Sequence, residues 1–309
     1  MRFKNALKIA FGNYALVFKD LLYKLIFFAI FSVVIGVIFE VGFRPVYNLA
    51  ADFLSDGFSV FGAFVTGKEV NAAVLSEDFT EIMDYLSSHT GGLVASVAVA
   101  VFAFYVLRFF TGISDCVVMI SVNGHMTSLS HRPYLALLFE NLKHIIKYQL
   151  IEAFTAVIVT GAAVALAYVF IAFTSAFGVF LAVLFSIVIR GFYVTVMSRL
   201  MTNIVIDKMK FTDAVKNSFG GEKTYFWKMF AQYVTLTVVY VYAIVSAAVF
   251  TAFVGEFLLI PFFTLLLACM RQVDYFTVSK KKYFIDYDTI IVPKELREND
   301  EKLLNDVDI

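Results

Sequence analysis

The sequence predicts an all-α polytopic membrane protein with six transmembrane helices arranged as three hairpins. The first reason is composition: 61% of the 309 residues are hydrophobic and 16% are charged, whereas soluble domains average about 45–50% and about 25%. The second is a set of six apolar runs, each near the roughly 20 residues that cross a bilayer. The third is that basic residues gather between alternate runs, as they do on one side of a membrane.

The predicted spans divide the chain into a membrane domain, residues 1–278, and a polar cytoplasmic tail, residues 279–309. The tail is expected to be either disordered or a docking peptide. The first two spans enclose an outer loop, residues 42–91, in which two helices are expected at Val46–Val65 and Glu77–Ser88. The third and fourth spans are joined near Phe173–Ser175, a connection so short that they must be antiparallel neighbours. The six spans are Leu21–Val41, Leu93–Gly112, Ile146–Phe170, Ala176–Met201, Met229–Phe253 and Phe257–Val278.

An internal repeat precedes the hairpins. Arg2–Asn13 and Lys210–Gly221 align without a gap, and a fainter third copy follows Arg132-Pro133. Each copy has the apolar spacing of an amphipathic helix that lies along a membrane surface. We therefore predict three units, each an interfacial helix on the cytoplasmic side followed by a hairpin. The identical pairs include Phe3 with Phe211, Ala6 with Ala214, Phe11 with Phe219 and Gly12 with Gly220.

The positive charges predict the orientation. Of the 25 Lys and Arg residues, Arg44 and Lys68 are the two that fall in the outer loop. The positive-inside rule then places both termini in the cytoplasm, as an even number of spans requires. Lys24, near the inner end of the first span, is expected to extend its ammonium group to the interface.

Four charged residues within the spans form a possible intramembrane polar site. Arg108, Arg190 and Arg271 recur near the inner ends of the second, fourth and sixth spans, and Glu152 lies in the third. The arginines either line a vestibule that attracts anions or lipid phosphates, or reach inner-leaflet phosphates and fix topology. A carboxylate in hydrocarbon needs a cation. Arg190 is the first candidate partner for Glu152 and Arg108 the second, and we favour a structural pair over a proton or ion site.

Several other features predict packing rather than chemistry. Gly161 and Ala165 in the third span, and Ala182, Ser186 and Arg190 in the fourth, recur at the four-residue spacing of helix contacts. We expect no metal or other cofactor and no nucleic-acid partner, because the sequence contains none of the common catalytic or phosphate-binding motifs. The spacing of the inner-loop histidines, His125, His131 and His144, is unlike that of a metal site. The two cysteines, Cys116 and Cys269, are expected at cytoplasmic ends and reduced.

The segment Lys208–Lys228 resembles the junctions of a broad group of bacterial six-span proteins. It has an F-x-x-A-hydrophobic-K-x-S helix followed by an aromatic-Trp step into the next span. The group includes the membrane domain found with some glycerophosphodiester phosphodiesterases and related uncharacterised Firmicutes membrane-protein families. The resemblance implies the six-span fold and a bacterial plasma membrane. We expect no soluble catalytic domain after the sixth span, so no active-site residue is carried over.

Three functional hypotheses are compatible with the sequence. The first is a non-catalytic scaffold or accessory subunit that contacts membrane lipids and binds a protein partner through the tail. The second is a transporter for a lipid or a small anion, suggested by the three recurring arginines. The third is a membrane enzyme that acts on lipid. A polar cavity reaching past mid-membrane would favour transport, and a closed bundle would favour the scaffold.

Overall fold

The computed structural model describes residues 2–66, 73–219, 223–251 and 255–293, and within them the protein is an all-α membrane protein. Six helical segments of this part of the chain are long and apolar enough to cross a membrane. The chain divides into two compact units: unit 1 comprises Met1–Lys24 with Phe109–Ile309, and unit 2 is Leu25–Arg108. The nine α-helices of the described residues are α1 Arg2–Gly12, α2 Ala15–Ile38, α3 Arg44–Val65, α4 Ala73–Ser88, α5 Thr90–Ser128, α6 Tyr134–Met201, α7 Phe211–Phe219, α8 Lys223–Thr251 and α9 Glu256–Val278.

The third and fourth spans form one helical hairpin within α6. Helical hydrogen bonding continues throughout α6, but the chain reverses near residues 171–177. The rings of Phe170 and Phe185 are 4.9 Å apart, and a Cβ on Gly178 would lie 2.2 Å from the carbonyl oxygen of Phe170. In a straight α-helix, residues eight positions apart are separated by about 12 Å along the axis. The predicted turn near Phe173–Ser175 is therefore confirmed.

Unit 2 contains the expected helices of the outer loop. Helix α3 follows α2 through a π-helical turn, Phe39–Phe43, so helical structure continues from the first span into the loop. Helices α3 and α4 pack against each other. A Cβ on Gly42 would lie 2.3 Å from Ser96 Oγ, which means that the backbone before α3 approaches α5 too closely for any side chain. Residues 67–72, which include Lys68, lie outside the described residues.

The core of unit 1 lies at the predicted cytoplasmic ends of the spans. Helix α5 continues well past the predicted span end at Gly112, and this extension buries Cys116, Val122 and Met126. Both cysteines are buried as free thiols. The second amphipathic segment is likewise continuous with the third span, because α6 is helical without interruption from Tyr134 into that span. The outer parts of the third to sixth spans instead expose many large apolar side chains.

The helices that carry the second, fourth and sixth predicted spans end with the same backbone conformation. Leu129, Lys208 and Lys280 have φ values of 54°, 54° and 52° and are the non-glycine residues with positive φ in the described chain. Each follows an even-numbered span, and a left-handed residue is a common way to end a helix. The second, fourth and sixth spans therefore end in the same way.

Helix α1 packs along α9 through the face that carries Ala6, Ile9 and Ala10. Ala6, Ile9 and Ala10 are fully buried, whereas Phe3 and Phe11 are 48% and 61% exposed. Small side chains let two helices approach closely, so the alanine face meets the protein and the phenylalanines face outward. The ring of Phe11 lies 5.9 Å from that of Phe262 at the edge of this contact.

The first part of the tail is folded. Strands β1, Tyr283–Phe284, and β2, Ile290–Ile291, form a short antiparallel hairpin. Asn5 Nδ2 donates a 3.0 Å hydrogen bond to the hydroxyl of Tyr283, and burial raises the pKa of this phenol. In the turn, the Thr289 hydroxyl and the backbone N–H of Asp288 hold the pKa of Asp286 below its usual range. Residues 294–309 lie outside the described part of the chain.

The predicted small-residue positions do not all lie at helix contacts: Ala182 is buried, but Gly161 is not at a close contact. A Cβ on Gly161 would meet nothing within 4 Å, whereas one on Gly191 would lie 2.4 Å from Val234 Cγ2. Hairpin α6 and helix α8 therefore approach at Gly191. Four-residue spacing alone did not reveal which small residue faces a neighbouring helix.

Candidate functional site

A buried cluster of charges joins four helices of unit 1. The Lys24 ammonium lies 2.7 Å from Asp20 Oδ2 and 2.8 Å from Asp115 Oδ1, and it donates a 3.0 Å hydrogen bond to Thr264 Oγ1. Only 12% of the Lys24 side chain is exposed. The expectation that Lys24 extends to the interface was therefore wrong, because its ammonium is held inside the protein by two carboxylates.

Hydroxyl groups complete this cluster. Ser114 donates to Asp20 Oδ1 and also hydrogen bonds with the hydroxyl of Tyr134. We call these six residues the Lys24 cluster: Asp20, Lys24, Ser114, Asp115, Tyr134 and Thr264. Its two carboxylates and one ammonium carry a formal charge of minus one, and buried charges are stable only when they are paired and hydrogen bonded. The cluster therefore draws the inner ends of α2, α5, α6 and α9 together.

Two features of the sequence are consistent with this cluster. Asp20 and Lys24 are four residues apart, the spacing at which side chains meet on a helix. Asp115 follows the predicted second span by three residues. The pairing between Lys24 and Asp115 joins distant parts of the chain, so spacing within one helix could not reveal it.

A second polar site lies at the inner ends of α6 and α9. It is a cavity of about 130 Å³ bounded by these ends, α7, α8 and the π-helical turn Thr202–Ile206. Ser198, Thr202 and Asp274 are buried in its wall, whereas Asp207 and Ser279 are exposed. The exposed residues form its mouth. We call it the Arg271 cavity.

Arginines and aspartates both line the Arg271 cavity. Arg271 donates from Nε to Ser198 Oγ at 3.0 Å and from Nη1 to Met201 Sδ at 3.0 Å. Arg199 donates from Nη1 to the carbonyl oxygen of Ser218 at 3.0 Å. Asp207 accepts a 2.6 Å hydrogen bond from the hydroxyl of Tyr275. The wall therefore contains two guanidinium groups beside two carboxylates.

Asp274 is tied to the N-terminal helix. Arg2 Nη1 lies 3.6 Å from Asp274 Oδ1, and the Arg2 guanidinium lies over the ring of Tyr225 at 4.3 Å. The Tyr225 hydroxyl donates to the carbonyl oxygen of Asp274 at 3.4 Å. These contacts stabilise α1 against α8 and α9, and they tie Arg2 to a carboxylate of the cavity wall.

Of the four predicted site residues, Glu152 and Arg271 both lie near the buried side chain of Tyr148. Arg271 lines the cavity. Arg190 is exposed, and its guanidinium lies 5.9 Å from the ring centre of Tyr240. Glu152 is partly buried, and its carbonyl oxygen accepts a 3.3 Å hydrogen bond from the Tyr193 hydroxyl. Arg108 belongs to unit 2. The pairing of Glu152 with Arg190 stays a prediction.

One of the inner-loop histidines, His125, lies against the C-terminal hairpin. The rings of His125 and His131 are 5.3 Å apart, and His125 Nε2 is 3.4 Å from the carbonyl oxygen of Ile285. Within the described ranges, no group of three or more His, Cys, Asp or Glu side chains is arranged to hold a metal ion.

The comparisons with known proteins add no relative from which a role could be transferred. No protein-family model, curated protein or solved structure matches the chain.

Proposed function

We propose that the protein is a non-catalytic scaffold or accessory subunit in the plasma membrane of a bacterium, where it acts at the cell envelope. One observation carries this proposal: the charged groups at the inner ends of the helices bind one another. Lys24 joins two carboxylates, and Arg2 joins Asp274. Networks of this kind hold helices together, whereas a reaction centre needs polar groups that meet a substrate.

The outer parts of the spans offer the surface that such a subunit needs. Phe173 and Phe250 are 83% and 85% exposed, and Tyr242 is 76% exposed. Lipid tails are as apolar as these side chains, so helices associate in membranes through close packing rather than through the hydrophobic effect. Membrane lipids and a partner's spans are the two occupants that suit this surface. The tail beyond Pro293 is the proposed cytoplasmic contact for a protein partner.

We further propose that both termini face the cytoplasm and that α1 and α7 are equivalent parts of an internal repeat. Equal exposure supports the repeat: Phe3 and Phe211 are 48% and 45% exposed, and Phe11 and Phe219 are both 61% exposed. Ala6 and Ala214 are both fully buried. The shared left-handed helix ends also support it. The repeated phenylalanines are suited to lie among lipid headgroups and upper acyl chains.

A transporter for a lipid or a small anion is the second candidate. The Arg271 cavity supports it, because two guanidinium groups line a polar space. However, the lining comes from the inner ends of the helices, such as Arg271 and Ser279, and from the segments that follow them. A path through the membrane would also require polar lining in the outer parts of the spans, so we favour the scaffold.

Photocrosslinking and transport assays test the proposal together. A photoreactive residue at Phe173 or Phe250 should form one discrete adduct with a membrane protein in native membranes. The same residue at Tyr287, which is exposed on the C-terminal hairpin, controls for contacts outside the spans. Purified protein in liposomes should move neither phosphate nor lipid faster than empty liposomes. Adducts with lipid alone, together with measurable transport, would support the second candidate instead.

A further inference from the structure

We propose that the Arg271 cavity binds a phosphate group, carried either by an anionic lipid headgroup or by a free phosphate in the cytosol. This assignment goes beyond the scaffold role, which requires no ligand. Its volume, its charge and the level at which it opens each support it.

The cavity has room for more than a single water. Its volume of about 130 Å³ is several times the roughly 30 Å³ that one water occupies in the liquid. A ligand can enter through the exposed mouth and be contacted by the buried wall. A tetrahedral phosphate fits this space, whereas a whole lipid does not, so a lipid would insert only its headgroup.

Positive charge exceeds negative charge around the cavity. Asp207 accepts from Tyr275, whose hydroxyl also accepts a 2.7 Å hydrogen bond from Lys281. Asp274 faces Arg2. In the lining itself two arginines stand beside two carboxylates, and Arg2 and Lys281 lie just outside it. Counting these two neighbours gives a formal excess of two positive charges. The four cations around the site are Arg2, Arg199, Arg271 and Lys281, and the two carboxylates are Asp207 and Asp274.

Arg271 provides the donor geometry that a phosphate requires. Its acceptors are a hydroxyl and a thioether, and both are neutral. A thioether is a weak acceptor, so a phosphate oxygen would replace Met201 at Nη1 with a charge-assisted hydrogen bond. Guanidinium forks match phosphate oxygens in shape and spacing. The side-chain amide of Asn217 adds a neutral donor at the exposed edge of the cavity.

The cavity opens at the level of lipid phosphates. Its lining belongs to the ends of the fourth and sixth spans. Trp227 on α8 is two residues from Met229, a lining residue, and is 60% exposed. Its ring contacts those of Phe226 and Phe230 edge-on. Exposed aromatic side chains of this kind are enriched where headgroups meet hydrocarbon.

Ligand titrations on the full chain in detergent test the assignment. The probes are phosphatidylglycerol, phosphatidylcholine with the same acyl chains, and inorganic phosphate, each followed by thermal unfolding and native mass spectrometry. The variants are Arg271→Gln, which removes the guanidinium, and Asn217→Asp, which adds a negative charge at an exposed position. Lys19→Gln is the matched control, because it removes an exposed positive charge that does not line the cavity.

We expect phosphatidylglycerol or inorganic phosphate to stabilise the wild type and Lys19→Gln equally. Arg271→Gln and Asn217→Asp should bind the same probe about tenfold more weakly or worse, because each removes or opposes a charge-assisted contact. Stabilisation by phosphatidylglycerol alone identifies a lipid headgroup, and stabilisation by inorganic phosphate identifies a soluble ligand.

Three results would overturn the assignment. The first is that no probe stabilises the protein. The second is that phosphatidylcholine and phosphatidylglycerol stabilise it equally while inorganic phosphate has no effect. The third is that the wild type and the cavity variants bind the probe with equal affinity. If Arg271→Gln does not fold, Asn217→Asp decides, because its side chain lies at the exposed edge of the cavity.

Discussion

The ammonium group of Lys24 on the first span lies 2.8 Å from a carboxylate oxygen of Asp115 on the helix that carries the second span. With Asp20, this contact places two carboxylates around one buried cation. A buried ion pair stabilises a protein less than its contacts suggest, because both charges lose water. Removing one partner, however, leaves the other charges buried and unbalanced. The Lys24 cluster is therefore expected to be the most sensitive polar contact of unit 1.

Lys24→Met should destabilise the protein by about 3–5 kcal/mol, because two carboxylates would then face each other without a cation. The measurement is thermal unfolding in detergent. Lys19→Met is the control, because Lys19 is exposed one turn away. Adding Asp115→Asn to Lys24→Met should recover part of the loss. Equal melting temperatures for Lys24→Met and Lys19→Met would contradict the proposed role of the cluster.

The orientation predicts which introduced cysteines react from outside. Cysteines at Ser59 and Thr80 should be labelled by an impermeant thiol reagent in intact cells, and cysteines at Lys8 and Asn217 should react only after the membrane is opened. All four positions are exposed, so orientation and not burial decides. The native cysteines are buried and should give little background. The reverse labelling pattern would invert the proposed orientation.

Phe219 tests the interfacial role of α7. Its side chain is 61% exposed, and an aromatic ring in the membrane contributes roughly 1.5–3 kcal/mol. Phe219→Asp should therefore lower folded yield in membranes strongly. Lys216→Gln should matter much less, since one basic residue near anionic lipid contributes about 1 kcal/mol. If both variants are tolerated equally, α7 does not act as an amphipathic membrane helix.

Tyr283 tests whether the C-terminal hairpin stabilises the helical domain. It is 4% exposed, whereas Tyr287 in the same hairpin is 74% exposed. Tyr283→Ala should cost about 3–5 kcal/mol through a cavity. Tyr283→Phe should cost about 1 kcal/mol through the lost hydrogen bond from Asn5. Tyr287→Ala is the control. If it lowers the melting temperature as much as Tyr283→Ala does, the burial of Tyr283 against the helices does not explain the loss of stability.

Glu152 and Arg190 test the predicted intramembrane pair. Glu152→Gln and Arg190→Gln should each lower folded yield, because each leaves one charge without its partner. The double substitution should recover part of the loss, and the coupling energy from the double-mutant cycle measures the pair directly. Additive losses would exclude this pair and make Arg108 the next partner to substitute. Intact folding with a lost cell phenotype would favour the transporter.

The hairpin between the third and fourth spans shows what could be predicted well. The turn near Phe173–Ser175 follows from two apolar stretches of membrane length with a short connection. The two helices of the outer loop were also predicted, and α4 begins a few residues before its predicted start. These features depend on local hydropathy, which the bilayer constrains strongly. The sites depend on contacts between distant residues, and of the predicted polar residues only Arg271 was found in the cavity wall.

The sequence by itself determined that this is an all-α protein with six membrane-spanning helices, because span length, apolar content and charge distribution are local properties read against a bilayer of fixed thickness. Only the tertiary structure decided that Lys24 is held between Asp20 and Asp115, and that α1 buries Ala6 and exposes Phe3. It also decided that Tyr283 in the polar tail belongs to the core. Each of these outcomes depends on which distant parts of the chain pack together, and the hydropathy of one helix does not indicate which helix packs against it.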